Sequence, residues 1–176
     1  VRILLQAGGT GAKFAARFVQ LCRTADVAEA IAFYRGLPLY PDPQLLEGQA
    51  AEGTRTNMRA VFEAVAHRSP YPSEQFAENR WNHMVLKALF VGSALHPIQG
   101  LDARANPTLA RMLCDYAHER WAAGRPVAPE LWRCVGPYAD AEALADLQRV
   151  LATGDATGYA TAIRLELVTP PDGPYR

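Results

Sequence analysis

Arg111, Asp115, His118 and Glu119 recur at i, i+4, i+7 and i+8. In a helix, that spacing gathers a cation, two carboxylates and an imidazole on one side. The chemistry on offer is proton exchange near neutral pH, with His118 as acid or base and Asp115 or Asp102 orienting its ring. Upstream, His96, Gln99, Asp102, Arg104 and Asn106 crowd into one short stretch with Pro97 and Gly100. Polar loops between buried helices are where binding side chains collect. Lys87, Arg104 and Arg111 are the cations that would hold an anion, and Asn82 is an amide on a helix otherwise bound for the core. A plainer reading stands beside each. Arg111 and Asp115 could pair on a solvent face, an interaction of roughly 0.3 kcal/mol. Asp102 or Asn106 could cap the helix that Pro107 opens. His96, Asp102, Asp115, His118 and Glu119 could also supply metal ligands. However, neither HExxH nor a two-His-one-carboxylate spacing is met, so no metal site is expected. If Lys87, His96, Asp102, Asn106, Arg111 and His118 converge on one pocket, a ligand site or enzyme follows; if they point separately into solvent, it does not.

These residues must be positioned by helices. Phe14, Phe18, Leu21 and Cys22 form one stripe behind Gly11, with Thr10 as the expected N-cap. Asp26 is placed to cap a second helix that Gly36 and Pro38 end. A third runs from Gln44 and stops near Gly53. A fourth, capped by Thr54 or Thr56, buries Met58, Val61, Phe62, Val65 and Ala66. Ser73 loosely opens a fifth, lined by Phe76, Trp81, Met84, Val85, Ala88 and Leu89, which Gly92 and Ser93 end. The clearest helix starts at Pro107 and carries Leu109, Met112, Leu113, Tyr116 and Trp121. A short helix with Leu131, Trp132 and Cys134 follows, then an Asp140-capped helix burying Leu144, Leu147, Val150 and Leu151, and a last one over 154–168. No stretch alternates with strand period. The expected fold is all-α: stacked helix–turn–helix units, HEAT-like or an irregular α bundle, with essentially no sheet. One all-helical domain is expected over 1–168, with a tail at 169–176.

Composition narrows the partners. Eighteen basic residues balance eighteen acidic ones among 176, so no basic face is expected for nucleic acid. No apolar run approaches the roughly 20 residues of a membrane span. Cys22, Cys114 and Cys134 are odd in number and widely spaced, which reads as reduced thiols near the core. With no convincing targeting segment at the start, a cytoplasmic protein is expected. The GGTG near the N-terminus lacks both the third glycine of a dinucleotide fingerprint and the lysine–hydroxyl pair of a P-loop.

With these residues laid out, the chain resembles the EboA family. The resemblance rests on Arg55-Thr56-Asn57-Met58, Pro70-Tyr71-Pro72, Trp81-Asn82-His83-Met84-Val85-Leu86-Lys87-Ala88, Gly100-Leu101-Asp102-x-Arg104-Ala105-Asn106-Pro107 and Asp115-Tyr116-Ala117-His118-Glu119-Arg120-Trp121, and spans about residues 25–151. The resemblance implies a gene set that makes or exports a small secondary metabolite. Its implied partners are that metabolite or the enzymes of the neighbouring ebo genes. It assigns no catalytic residue and no cofactor; what it carries over is that the matching strings hold polar residues no core needs, Asn57 among them. Two functions follow: a helical binding or scaffold protein, or an enzyme acting on a polar, phosphorylated or cyclitol-like molecule around His118 and Asp115.

Overall fold

The computed structural model describes residues 9–152. The described residues form helices and turns with no strand; one isolated antiparallel bridge joins His67 and Ile98. The fold is all-α. The chain divides into two compact units at Gly100/Leu101. The expected helix at 154–168, the tail at 169–176 and the apolar start at 1–5 lie outside the described residues.

The first unit holds α1 (Gly11–Thr24), α2 (Val27–Arg35), α3 (Glu47–Arg55), α4 (Arg59–Ala66), α5 (Tyr71–Gln75) and α6 (Glu78–Phe90). Its heart is α4, which packs against α2 and α3 and buries Val61, Phe62, Ala64, Val65 and Ala66. Phe14 and Phe18, one turn apart on α1, are fully buried and stack at 6.4 Å. Tyr40 closes on both, at 5.4 and 5.2 Å, within the usual range for aromatic pairs. Gly53 does not end α3. A Cβ there would sit 2.7 Å from Tyr34 Cζ and 2.8 Å from Val65 Cγ2. The glycine lets three helices close together, and its cost in helix propensity of about 1 kcal/mol is offset by that contact.

The helix ends show where local signals held. Asp26 forms a full capping box with Glu29, and Asn106 accepts from the Leu109 N–H at 2.9 Å with Pro107 at the first turn. Thr10 does sit at the N-cap of α1, but its hydroxyl makes no capping bond. The Gly11 N–H instead donates to Asp42 Oδ2 at 2.7 Å, from 31 residues away. Thr56 accepts from the Met58 N–H, so Met58 becomes the N-cap of α4 and is 53% exposed rather than buried. Ser73 lies within α5 and donates back to the Pro70 carbonyl; α6 begins later, behind Ala77. Helix α6 ends in a Schellman turn: Gly92 has φ 67°, and the Ser93 N–H reaches the Ala88 carbonyl at 2.8 Å.

The second unit holds α7 (Pro107–Ala122), α8 (Trp132–Val135) and α9 (Ala141–Ala152). Here α7 packs on α8. Leu109, Leu113, Leu131, Trp132 and Leu147 are buried. Trp121 stacks on Trp132 at 5.8 Å, and Arg149 covers the Trp121 ring at 4.4 Å, a cation–π contact of roughly 0.5–1 kcal/mol.

Candidate functional site

In the first unit, α3 and α6 flank a groove of about 510 Å3. Arg80, His83 and Lys87 recur at i, i+3 and i+7 on α6 and so share the face that lines it. Arg55 enters from α3. Ala51 and Met84 form an apolar part of the wall. Each cation has a defined partner. Arg55 pairs with Glu52, and Arg80 Nε lies 3.0 Å from Glu47 Oε1. Lys87 differs: its ammonium donates to the neutral Asn57 Oδ1 at 2.7 Å. Two guanidinium charges are therefore balanced by carboxylates, and the lysine charge is held by an amide that positions it without cancelling it. His83 Nδ1 lies 2.8 Å from the Asn79 carbonyl. A carbonyl can only accept, which assigns the proton to Nδ1.

The second unit has a smaller pocket of about 160 Å3. Arg111, Cys114, Asp115 and His118 reach it from α7, and Asp140 and Glu142 from the start of α9. His118 Nε2 is bonded to Asp146 Oδ2 at 2.6 Å, and its Nδ1 is 4.0 Å from Glu142 Oε1. The carboxylate bonded to His118 is thus Asp146, and neither Asp115 nor Asp102 makes that bond. Asp102 instead pairs with Arg133 at 2.7 Å. Burial, aided by Asp146, Asp140, Asp115 and Glu142, pushes the Cys114 thiol up to about 11. At neutral pH it is a thiol, not a nucleophilic thiolate.

The residues singled out in the sequence therefore part company. Asn57 and Lys87 meet at the first groove, while Asn82, on the same helix, is buried at 1% exposure. His96 belongs to the first unit and is exposed. Arg111, Asp115 and His118 share the second unit's pocket. Asp102 forms an ion pair, Asn106 caps α7, and Arg104 offers its carbonyl to the Asn106 amide at 3.1 Å. Sequence reasoning missed Arg55, Arg80, His83 and Asp146. The i, i+3, i+7 spacing on α6 was a usable signal for Arg80 and His83. Nothing local marks Asp146, which lies 28 residues from its imidazole. Among the described residues, no group of three His, Cys, Asp or Glu could hold a metal ion, and no helix is long and apolar enough to cross a membrane.

No curated protein and no solved structure matches the chain. A protein family does: the one described as metabolite traffic protein EboA matches residues 3–136, a span that contains the α3/α6 groove whole. The chain belongs to the EboA family.

Proposed function

We propose that this chain is a binding protein that holds a small metabolite by an anionic group in the α3/α6 groove, in the service of making or moving that metabolite in the cytoplasm. The observation that carries the reading is Lys87. Its charge is fixed by Asn57 and unbalanced by any carboxylate bonded to it, on a groove with an apolar flank at Ala51 and Met84. An amphipathic molecule with one anionic end suits such a groove, because small-ligand sites pair an apolar lining with a few placed polar groups. The metabolite-traffic family supports a metabolite over a macromolecule. The enzymes of the neighbouring ebo genes are the partners such a carrier would serve.

Calorimetric titration with matched small amphiphiles tests this, one set carrying a phosphate or carboxylate and one uncharged. The anionic set should bind, and Lys87→Ala should weaken it about tenfold, the equivalent of about 1.4 kcal/mol. Equal binding of charged and uncharged probes, or unchanged affinity in the variant, would remove the reading.

An enzymatic reading around His118 has one observation in its favour: Asp146 fixes the imidazole as a catalytic orienter would. The pocket is small and Cys114 is protonated, so proton transfer is the chemistry this arrangement supports. Turnover lost in both His118→Gln and Asp146→Asn would favour it.

A further inference from the structure

A second cavity in the first unit, of about 520 Å3, opens beside the C-terminal end of α4. It differs chemically from the α3/α6 groove. Arg35, Glu63, His67 and Arg68 all line it. Glu63 accepts from Arg59 Nε at 2.6 Å and from the Ser93 hydroxyl at 2.8 Å. These bonds hold its carboxyl below the usual carboxylate range, so it is ionised and acceptor-only.

The state of His67 follows from its neighbours. Its Nε2 lies 3.0 Å from the Ala94 carbonyl and 3.1 Å from Ser93 Oγ. The carbonyl can only accept, and the Ser93 proton is committed to Glu63, so the Nε2 proton belongs to His67. Burial holds the imidazole below its ordinary 6.5, and at neutral pH the ring is uncharged. Nδ1 is then a lone-pair acceptor with no partner among the described residues. The network thus presets a neutral acceptor in place, with an ionised acceptor beside it.

The donors come from the opposite class of side chain. Arg35 sits in the last turn of α2, where the helix dipole favours a cation. Arg68 is a non-glycine residue with φ 50°, held there as its N–H donates to the Pro97 carbonyl at 2.9 Å. A left-handed arginine is uncommon, and such conformations gather where structure overrides local preference, often at functional sites. Both arginines are exposed, and a guanidinium offers the bidentate geometry that phosphate and carboxylate prefer.

We infer that this cavity is a second binding site, independent of the α3/α6 groove, for a small polyhydroxylated anion such as a sugar phosphate or hydroxy acid. Arg35 and Arg68 take the anionic group. His67 Nδ1 and the Glu63 carboxylate accept from the ligand's hydroxyl groups. An anion without hydroxyls leaves both acceptors unmet, and a neutral polyol leaves both guanidiniums unmet.

The test uses the full chain, with glycerol 3-phosphate as probe and inorganic phosphate and glycerol as its two halves. Binding is followed by calorimetry and by amide chemical shifts. Arg68→Gly suits the positive φ and so preserves the fold while removing one guanidinium. His67→Gln keeps an N–H near the Ala94 carbonyl while removing the Nδ1 acceptor. Glycerol 3-phosphate should bind at least about tenfold more tightly than phosphate. Arg68→Gly should weaken both anions. His67→Gln should erase the preference for glycerol 3-phosphate yet leave phosphate binding intact. Lys87→Ala, in the other groove, should change none of this. Equal affinity for the two anions, no saturable binding at millimolar concentration, or loss in Lys87→Ala but not in Arg68→Gly would each overturn the inference.

Discussion

The two units use charge in opposite ways. In the α3/α6 groove of the first, cations line the wall and the carboxylates stand behind them: Glu47 and Glu52 hold Arg80 and Arg55, while Lys87 rests on an amide. In the second, the carboxylates themselves line the pocket, and its imidazole is already engaged by Asp146. An imidazole already bonded to a carboxylate has less left for a ligand. A groove that positions a charge with a neutral partner retains the attraction at a small cost in desolvation. A chain with zero formal net charge can therefore still carry a local cationic site, because what matters is which charges share a wall.

The packing differs as well, and this gives the largest expected effect. The second unit leans on Trp132, 1% exposed and stacked on Trp121. Trp132→Ala should lower stability by about 3–5 kcal/mol. Urea denaturation followed by circular dichroism checks it; a loss under about 1 kcal/mol would mean the unit is not built on that ring. The first unit leans instead on close helix approach. Gly53→Ala should cost about 1–3 kcal/mol, since the added methyl meets the Tyr34 ring and Val65 before any gain in helix propensity counts. A stabilised variant would show that α3 can back away from Tyr34.

Asp146→Asn comes next, with an expected loss of about 1 kcal/mol at neutral pH from weakening a partly buried bond to His118. Anion binding in the α3/α6 groove should be untouched. Parallel loss of groove binding would erase the contrast between the units.

The smallest effect is a pH dependence confined to the first unit. His67 is held below 6.5 by burial, with Glu63 favouring its charged form and His96 and Arg59 opposing it. Glu63 is held below 4.5, chiefly by its bond from Arg59. In both cases the unfolded chain takes up its proton first. Stability from each group is present above its unfolded value and is lost as pH falls: first below 6.5 for His67, then below 4.5 for Glu63. Thermal melts from pH 7 to pH 4 should show the upper phase vanish in His67→Gln while the lower one stays. An unchanged upper phase would assign it to another group.

Much of the fold was legible in local pattern. Phe14 and Phe18 sit where the stripe puts them, and Asp26 and Asn106 cap as their types and positions predict. These signals act within a turn or two of helix, the range over which sequence and geometry correspond directly. Two of the errors share one cause, competition from distant groups, whereas Thr56 and Ser73 were diverted by bonds two and three residues away. Asp42 took the place expected of Thr10, and Tyr34 turned Gly53 from a helix stop into a packing site. The candidate site was legible in part. Lys87 and Asn57 stood out as polar residues without a core role, but that they bond across 30 residues was not written in either segment.

An all-helical chain, widely spaced cysteines, EboA-like strings and a polar residue set exceeding what a core requires can all be read from the residues in order. Those properties follow from 3.6-residue periodicity and residue chemistry, which need no knowledge of what lies opposite. Which charges are cancelled was settled by packing. It gave Asp146 to His118, Arg133 to Asp102, and an amide rather than a carboxylate to Lys87. The free energy of a charge depends on the partner within a few ångströms and on the water between them, and the residues that meet in these pairs lie some 30 positions apart along the chain.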